Sequence, residues 1–152
     1  MTVVLKGREG LEAHVGQEIG PGDWMEVTQE RINTFADAGG DYQWIHVDVE
    51  RAAKGPYGKT IAHGVLTLAM VNALTAGLLT FEGFRMAVND GYDKVRFPSP
   101  VPVGSRLRAK MKPLSVEDAS GGAIMMTVEI TVEIEGGAKP ACVAHMIFRF
   151  VP

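Results

Sequence analysis

Residues 39–48, GGDYQWIHVD, place an acid and an imidazole close together in an apolar setting. Asp41 and His46 stand five residues apart, with one amide and three bulky side chains between them. A carboxylate and an imidazole that share one water molecule form a competent acid–base pair, because one group can take up a proton that the pair then delivers. The same spacing fits a structural role, in which Asp41 caps a turn and His46 is a hydrogen-bonded core histidine. Spacing alone leaves both interpretations open.

A second pattern, His63-Gly64-Val65, begins seventeen residues after His46, where an apolar helix is predicted to start. The first backbone N–H groups of a helix have no acceptor within the helix and lie at the positive end of its dipole. A glycine lets a carbonyl oxygen approach the backbone closely, so the Gly64 N–H could stabilise an oxyanion. Gly64 could equally be an ordinary loop residue. With Asp41 and His46, the pattern suits addition of water to an α,β-unsaturated thioester, which needs a polarised carbonyl and a proton carried from the water to the α-carbon.

Two predicted helices would position these residues. The helix before Asp41 is predicted to start after Thr28, a suitable N-cap, and to end at Gly39-Gly40. The helix that begins at Gly64 is predicted to run to about Phe81. Its side chains are apolar on nearly every face, so protein must surround it, and a curved sheet folded around it is the economical solution.

Period-two alternation in the second half of the chain predicts that sheet. Residues 124–135 alternate apolar side chains with a mostly acidic row, and residues 106–112 alternate apolar side chains with four basic ones. Antiparallel pairing of these strands, through a turn at residues 117–122, would set the basic row against the acidic row. We interpret these charges as a solvated sheet face and not as a binding patch. Residues 142–150 and 84–97 predict two more strands, and the order of elements indicates an α+β domain.

Length and composition limit the classes of function. The 152 residues predict one domain spanning residues 1–152, with residues 1–13 as an N-terminal extension. The formal charge of −3 argues against nucleic acid as a partner. The single cysteine, Cys142, fits a reducing compartment and lies in a strand pattern typical of an inert core thiol. Polar interruptions in residues 65–81 favour a buried helix over a membrane span, and the charged start of the chain does not resemble a signal peptide. We therefore expect a cytoplasmic protein with no membrane partner.

At these motifs the sequence resembles the MaoC-like, R-specific enoyl-CoA hydratases of the hydratase 2 type, and within them the nodulation protein N-like branch. The family motif is Asp, four residues and His, followed after a loop with Gly and Pro by His-Gly and an apolar helix. Residues 41–46 and 63–65 match it, and residues 92–109, YDKVRFPSPVPVGSRLRA, are typical of that branch. The resemblance covers roughly residues 14–151. It implies a hot-dog fold, in which an antiparallel sheet wraps a long helix, and a homodimer that admits acyl-CoA near the subunit interface.

The resemblance also implies roles for individual residues. Asp41 and His46 would form the catalytic pair, and the Gly64 N–H would bind the thioester oxygen. The reaction implied is reversible syn hydration of a trans-2-enoyl-CoA to the (3R)-3-hydroxyacyl-CoA, with coenzyme A as part of the substrate and no further cofactor. Substrates carried by an acyl-carrier protein would use the same chemistry.

One departure from the family concerns the residues after the acid. Many members have Asn then Pro there, whereas this chain has Gln43-Trp44. Gln43 is expected to order the site, and Trp44 to narrow the pocket. His63 is expected to hydrogen-bond the loop and not to react. The other pocket candidates are Tyr57, Asn72, which stands where relatives often have a serine, and Phe97.

Two other functions remain as alternatives. A hot-dog thioesterase usually carries a carboxylate on the central helix or uses a different loop motif, and residues 65–81 contain no Asp or Glu. A non-catalytic acyl-CoA or acyl-carrier binding protein would not need both Asp41 and His46. We expect no metal, since no metal-ligand spacing is present and Asp41 with His46 supplies too few ligands. No glycine-rich phosphate loop follows a predicted strand, which argues against nucleotide binding.

Overall fold

A five-stranded antiparallel sheet organises the fold in the computed structural model, which describes all 152 residues. In spatial order its strands are β2 (Met25–Glu26), β5 (Arg106–Asp118), β6 (Ile124–Ile134), β7 (Cys142–Val151) and β4 (Met86–Arg96). Alternate apolar side chains of β5, β6 and β7 are fully buried on one face and form most of the core. The long strands therefore follow from the period-two alternation that predicted them.

The predicted pairing of the basic strand with the acidic strand is confirmed. Arg108 lies opposite Glu133, and its Nε donates to Glu133 Oε2 at 2.7 Å. Arg106 Nη1 donates to Glu135 Oε2 at 3.0 Å. All four side chains are roughly a third to a half exposed, so each ion pair contributes at most about 1 kcal/mol. These ion pairs stabilise the solvated face of the sheet.

Six short helices lie between the strands. They are α1 (Gly7–Ala13), α2 (Gln29–Gly39), α3 (Trp44–Val47), α4 (Val49–Ala53), α5 (Gly64–Ala69) and α6 (Val71–Leu74). Thr28 caps α2 by accepting from the Arg31 N–H at 3.1 Å, and Gly40 ends it at φ 72°, both as predicted. None of these helices has the length and apolar character needed to cross a membrane.

The central helix is shorter than predicted and is not buried on all sides. It breaks at Met70 between α5 and α6 and ends at Leu74, so the prediction of one helix to Phe81 was wrong. Gly77, at φ 79°, turns the chain, and Leu79–Glu82 become a strand, β3. One side of the helix packs into the core, through Leu66, Met70, Val71 and Leu74. The opposite side, with Val65, Ala69 and Asn72, is exposed in the single chain.

Residues 1–13, interpreted from the sequence as an extension, pack onto the domain. Val3–Lys6 form strand β1, which pairs in parallel with β3, and α1 follows directly. Leu5 and Leu11 are fully buried in the main core cluster. The pairing with β1 gives residues 79–82 a backbone hydrogen-bonding partner, which helps explain why the apolar run leaves the helix there.

Candidate active site

His46 is held in a defined tautomer. Its side chain is buried, and its Nδ1 lies 2.7 Å from the backbone oxygen of Ile61. A carbonyl oxygen can only accept a hydrogen bond, so Nδ1 carries the proton and donates it. The other ring nitrogen, Nε2, is then left with a free lone pair. That lone pair is what a proton-accepting histidine needs.

Asp41 occupies the turn between α2 and α3. Its Oδ1 accepts from the Gln43 N–H at 3.2 Å, which closes an Asx turn. The residue is exposed, whereas His46 beside it is buried. The turn-capping role and the hydrogen-bonded histidine, offered above as alternatives to catalysis, are thus both present. They fix the two side chains in place and leave one carboxylate oxygen of Asp41 and Nε2 of His46 available.

His63 packs directly on His46. The two rings stack with centroids 3.8 Å apart and an interplanar angle of 24°, and the centroid of the Phe35 ring lies 5.0 Å from that of His63. His63 Nε2 lies 3.0 Å from the backbone oxygen of Asp41, to which it donates. His63 Nδ1 is buried without a partner. The ring thus braces both members of the pair, Asp41 by a hydrogen bond and His46 by stacking.

Asp41, His46 and Gly64 surround one cavity. The cavity has a volume of about 290 Å³, and Phe35, His63 and Val65 complete most of its wall. One side-chain ligand atom each from Asp41, His46 and His63 lies within 4.8 Å of the other two. That separation is short enough for the carboxylate and an imidazole nitrogen to contact a single water molecule. The loop and the start of α5 therefore converge on one place.

Gly64 is required by a close contact and not by its backbone angle. It is the first residue of α5, and His63 makes no side-chain hydrogen bond to cap the helix. The first N–H of a helix has no acceptor within the helix, so the Gly64 N–H is free to donate. A Cβ at this position would lie 2.9 Å from Cδ2 of Phe97 and 3.0 Å from two further ring atoms. Only glycine leaves room for the ring of Phe97 at this position.

A second cavity of about 290 Å³ shares His46 and Gly64 with the first. Tyr57 and Phe97 line it, together with several small and apolar residues. Its wall also includes Thr67, one helical turn after Gly64, whose hydroxyl is buried without a partner. Sequence reasoning missed Thr67, although a hydroxyl on an apolar helix three residues after the glycine is a detectable signal.

The remaining predicted pocket residues lie outside both cavities. Trp44 starts α3 and packs under the guanidinium of Arg51, which lies 4.3 Å from its ring. Gln43 is exposed and reaches the site through its backbone N–H. Asn72 is exposed on α6 and lines neither cavity of the single chain. The prediction that Trp44 narrows the pocket therefore finds no support in the cavity walls.

His63 adds a third potential ligand beside Asp41 and His46, which the sequence spacing did not indicate, and the three residues lie close enough together to hold a metal ion. One nitrogen of each ring donates to a backbone oxygen, an arrangement found in histidines that bind metals as well as in histidines that transfer protons. The expectation that no metal binds rests on the sequence and stays a prediction.

Cys142 is the first residue of β7 and lines neither cavity. Burial raises the pKa of its thiol to about 11, so the thiol is protonated at neutral pH. A protonated, fully buried thiol is a poor nucleophile. Its environment agrees with the inert core cysteine that the strand pattern indicates.

Comparisons with known proteins agree with this architecture. Residues 11–135 match the sequence family described as MaoC like domain. The 3-hydroxyacyl-thioester dehydratase Z of Mycobacterium tuberculosis is 55% identical over 141 residues, which cover 93% of each chain. Nodulation protein N of Rhizobium leguminosarum is 42% identical over 139 residues, covering 90% of this chain and 86% of that protein.

Solved structures show the same fold. A monoamine oxidase regulatory protein from Archaeoglobus superposes with a TM-score of 0.76 at 26% identity, covering 91% of each chain. An unliganded R-hydratase from Pseudomonas aeruginosa gives a TM-score of 0.68 at 24% identity, covering 90% of this chain and 81% of that one. The predicted hot-dog fold is confirmed.

Proposed function

Because this chain belongs to the MaoC-like dehydratase family and is a hydratase or dehydratase, we propose that it catalyses the reversible syn hydration of a trans-2-enoyl-CoA to the (3R)-3-hydroxyacyl-CoA. The observation that carries this proposal is the convergence of Asp41, His46 and Gly64 on one cavity. A carboxylate, a base with a fixed lone pair and a free backbone donor are the three groups that the reaction needs.

The thioester oxygen accepts a hydrogen bond from the Gly64 N–H. Addition of water at the β-carbon pushes electron density onto that oxygen, so the donor binds the transition state more strongly than the substrate. α5 has only six residues and a break follows it, so we assign the effect to this one N–H and not to the helix dipole.

Asp41 and His46 hold the water between them and move its proton. As the water oxygen bonds to the β-carbon, one proton passes to the pair, and the pair then delivers a proton to the α-carbon. The net addition is one hydrogen and one hydroxyl across the double bond, and the pair returns to its starting protonation state. Ligand atoms of the two groups lie within 4.8 Å of each other, so one water between them would add its hydrogen and its hydroxyl to the same face of the alkene. The chemistry requires no cofactor beyond the coenzyme A of the substrate.

The exposed side of α5 and α6 supports a homodimer. Val65 and Ala69 are exposed there, beside a cavity wall to which Val65 itself contributes. The edge strand β4 also exposes Met86 and Val88. We propose that a second copy of the chain covers these surfaces. Sedimentation equilibrium should give twice the chain mass, and a monomer at micromolar concentration would contradict the proposal.

A direct assay tests the reaction. Purified protein should remove the absorbance of the conjugated double bond from crotonyl-CoA or longer trans-2-enoyl-CoAs, and chiral analysis should find the (3R) product. The same preparation should release no free thiol from saturated acyl-CoA. Thiol release without hydration would favour the thioesterase, and binding of the thioester with neither activity would favour the non-catalytic binding protein. A parallel series on an acyl-carrier protein would identify the carrier.

A further inference from the structure

We propose that Gln29 is a positioning residue for His46, and that it acts with Thr60 by fixing the ring in the tautomer that can accept a proton. The proposal builds on the proposed function, because it concerns the same histidine. It assigns a task to a side chain that lines neither cavity and that the sequence motif does not include.

Gln29 connects α2 to the backbone of His46 and to the side chain of Thr60. It is the first residue of α2, and its Nε2 donates to the backbone oxygen of His46 at 2.8 Å. Its Oε1 accepts from the hydroxyl of Thr60 at 2.5 Å. The His46 oxygen can only accept, so the amide has one possible orientation, and the Thr60 hydroxyl must be the donor. The Gln29 side chain thus holds the backbone of His46 and the segment of Thr60 and Ile61 together.

The segment of Thr60 and Ile61 selects the tautomer of His46. Thr60 is buried and its backbone oxygen accepts from the Val103 N–H at 2.9 Å, which attaches the segment to the rest of the fold. The next residue, Ile61, donates its N–H to the Ile45 oxygen at 3.0 Å and accepts from His46 Nδ1 at 2.7 Å. The Gln29–Thr60 contact therefore lies one residue from the carbonyl that keeps the proton on Nδ1.

Loss of this contact should loosen the histidine without unfolding the site. If the Ile61 oxygen shifts relative to the ring, the bond to Nδ1 lengthens and the alternative tautomer, with the proton on Nε2, becomes populated. That tautomer has no lone pair toward the water and cannot take its proton. Misplacement of a catalytic group by about 1 Å can reduce a rate by about a hundredfold. Because the Gln29 side chain lines neither cavity, we expect the effect on kcat and not on substrate binding.

Four variants test the proposal. Gln29→Ala removes the hydrogen bonds to His46 and Thr60 together with the one to Asn33, and Thr60→Val removes only the hydroxyl at nearly constant shape. Both should lower kcat by roughly ten- to a hundredfold and leave KM within about threefold. Thr60→Ser keeps the donor and should recover most of the kcat that Thr60→Val loses. Asn33→Ala is the matched control, because Asn33 Oδ1 accepts from the same Gln29 amide at 2.9 Å but lies on the exposed side.

A spectroscopic readout separates positioning from simple destabilisation. The ¹⁵N signals of His46 should show one tautomer, protonated at Nδ1, in the unaltered protein and in Asn33→Ala. They should show averaging between tautomers in Gln29→Ala and Thr60→Val. Any one of three results overturns the proposal: an unchanged kcat in Gln29→Ala, an unchanged His46 tautomer in both variants, or a Thr60→Ser loss equal to that of Thr60→Val.

The same spectra keep this proposal distinct from the proposed function. If the unaltered protein hydrated no enoyl thioester, the proposed function would fail. The tautomer of His46 would still report whether Gln29 and Thr60 hold the ring.

Discussion

Replacing Asp41 by Asn is expected to lower kcat for enoyl-CoA hydration by about a thousandfold while the protein keeps its fold. General acid–base groups contribute roughly 10²–10⁴ to a rate, and an amide can neither take up nor deliver the proton. Asn keeps an oxygen that can accept from the Gln43 N–H, so the Asx turn at this exposed position survives. Initial rates with crotonyl-CoA, together with thermal unfolding of the same samples, measure the two effects separately.

His46→Gln should lose a similar factor. The Gln amide can still donate to the Ile61 oxygen from a buried position, but it offers no basic lone pair to the water. Asp48→Asn is the matched control, because Asp48 also accepts from a backbone N–H, that of Arg51 at 3.0 Å, and lies in the same stretch outside both cavities. It should keep the rate of the unaltered protein. Near-normal rates in both Asp41→Asn and His46→Gln would remove the proposed catalytic pair.

The sheet could be predicted from the sequence because its signal is local. In β6 and in residues 106–112 of β5 every second residue is apolar, so the burial pattern and the facing charged rows follow from the alternation there. The end of α2 was predictable for the same reason, since Gly40 adopts a left-handed conformation that few other residues adopt.

The length of the central helix could not be predicted in this way. Residues 79–82 are apolar enough to continue a helix, but β1, more than seventy residues earlier in the chain, supplies a backbone partner that makes them a strand. The exposed side of α5 could not be predicted either, because the helix is apolar on nearly every face. Composition does not distinguish a side chain that faces a core from one that is free to face a second subunit.

In the candidate site, too, some residues could be predicted from the sequence and others could not. Asp41, His46 and Gly64 were found through motif spacing, and the structure brings them around one cavity. The groups that hold them were not found, because the Ile61 carbonyl is a backbone atom and Gln29 resembles any polar residue in the first turn of a surface helix. A motif reports which side chains are present, whereas their tautomers and orientations depend on tertiary contacts.

The second large effect is expected at Gly64, where a side chain and a backbone N–H can be tested separately. Gly64→Ala keeps the N–H but places a Cβ where ring atoms of Phe97 lie at 2.9 to 3.0 Å, so the ring must move into the second cavity that it lines. We expect kcat/KM to fall by roughly ten- to a hundredfold, because a displaced ring disturbs the position of the substrate. Adding Phe97→Ala removes the ring that the new Cβ would meet. Gly64→Ala should then cost little, so the double variant should have nearly the kcat/KM of Phe97→Ala alone.

The Phe97→Ala background leaves room for a side chain at position 64, so it allows the proposed hydrogen bond to the thioester oxygen to be tested by itself. Proline lacks an N–H and is well tolerated at the first position of a helix. His63, at φ −60° and ψ 137°, already has the extended conformation that a following proline requires. Gly64→Pro with Phe97→Ala should therefore fold, and its kcat should be about 10²–10³ below that of Gly64→Ala with Phe97→Ala, the range for loss of one oxyanion donor. Equal rates in the two double variants would show that the thioester oxygen is bound elsewhere, and Gly64 would then serve only to make room for the Phe97 ring.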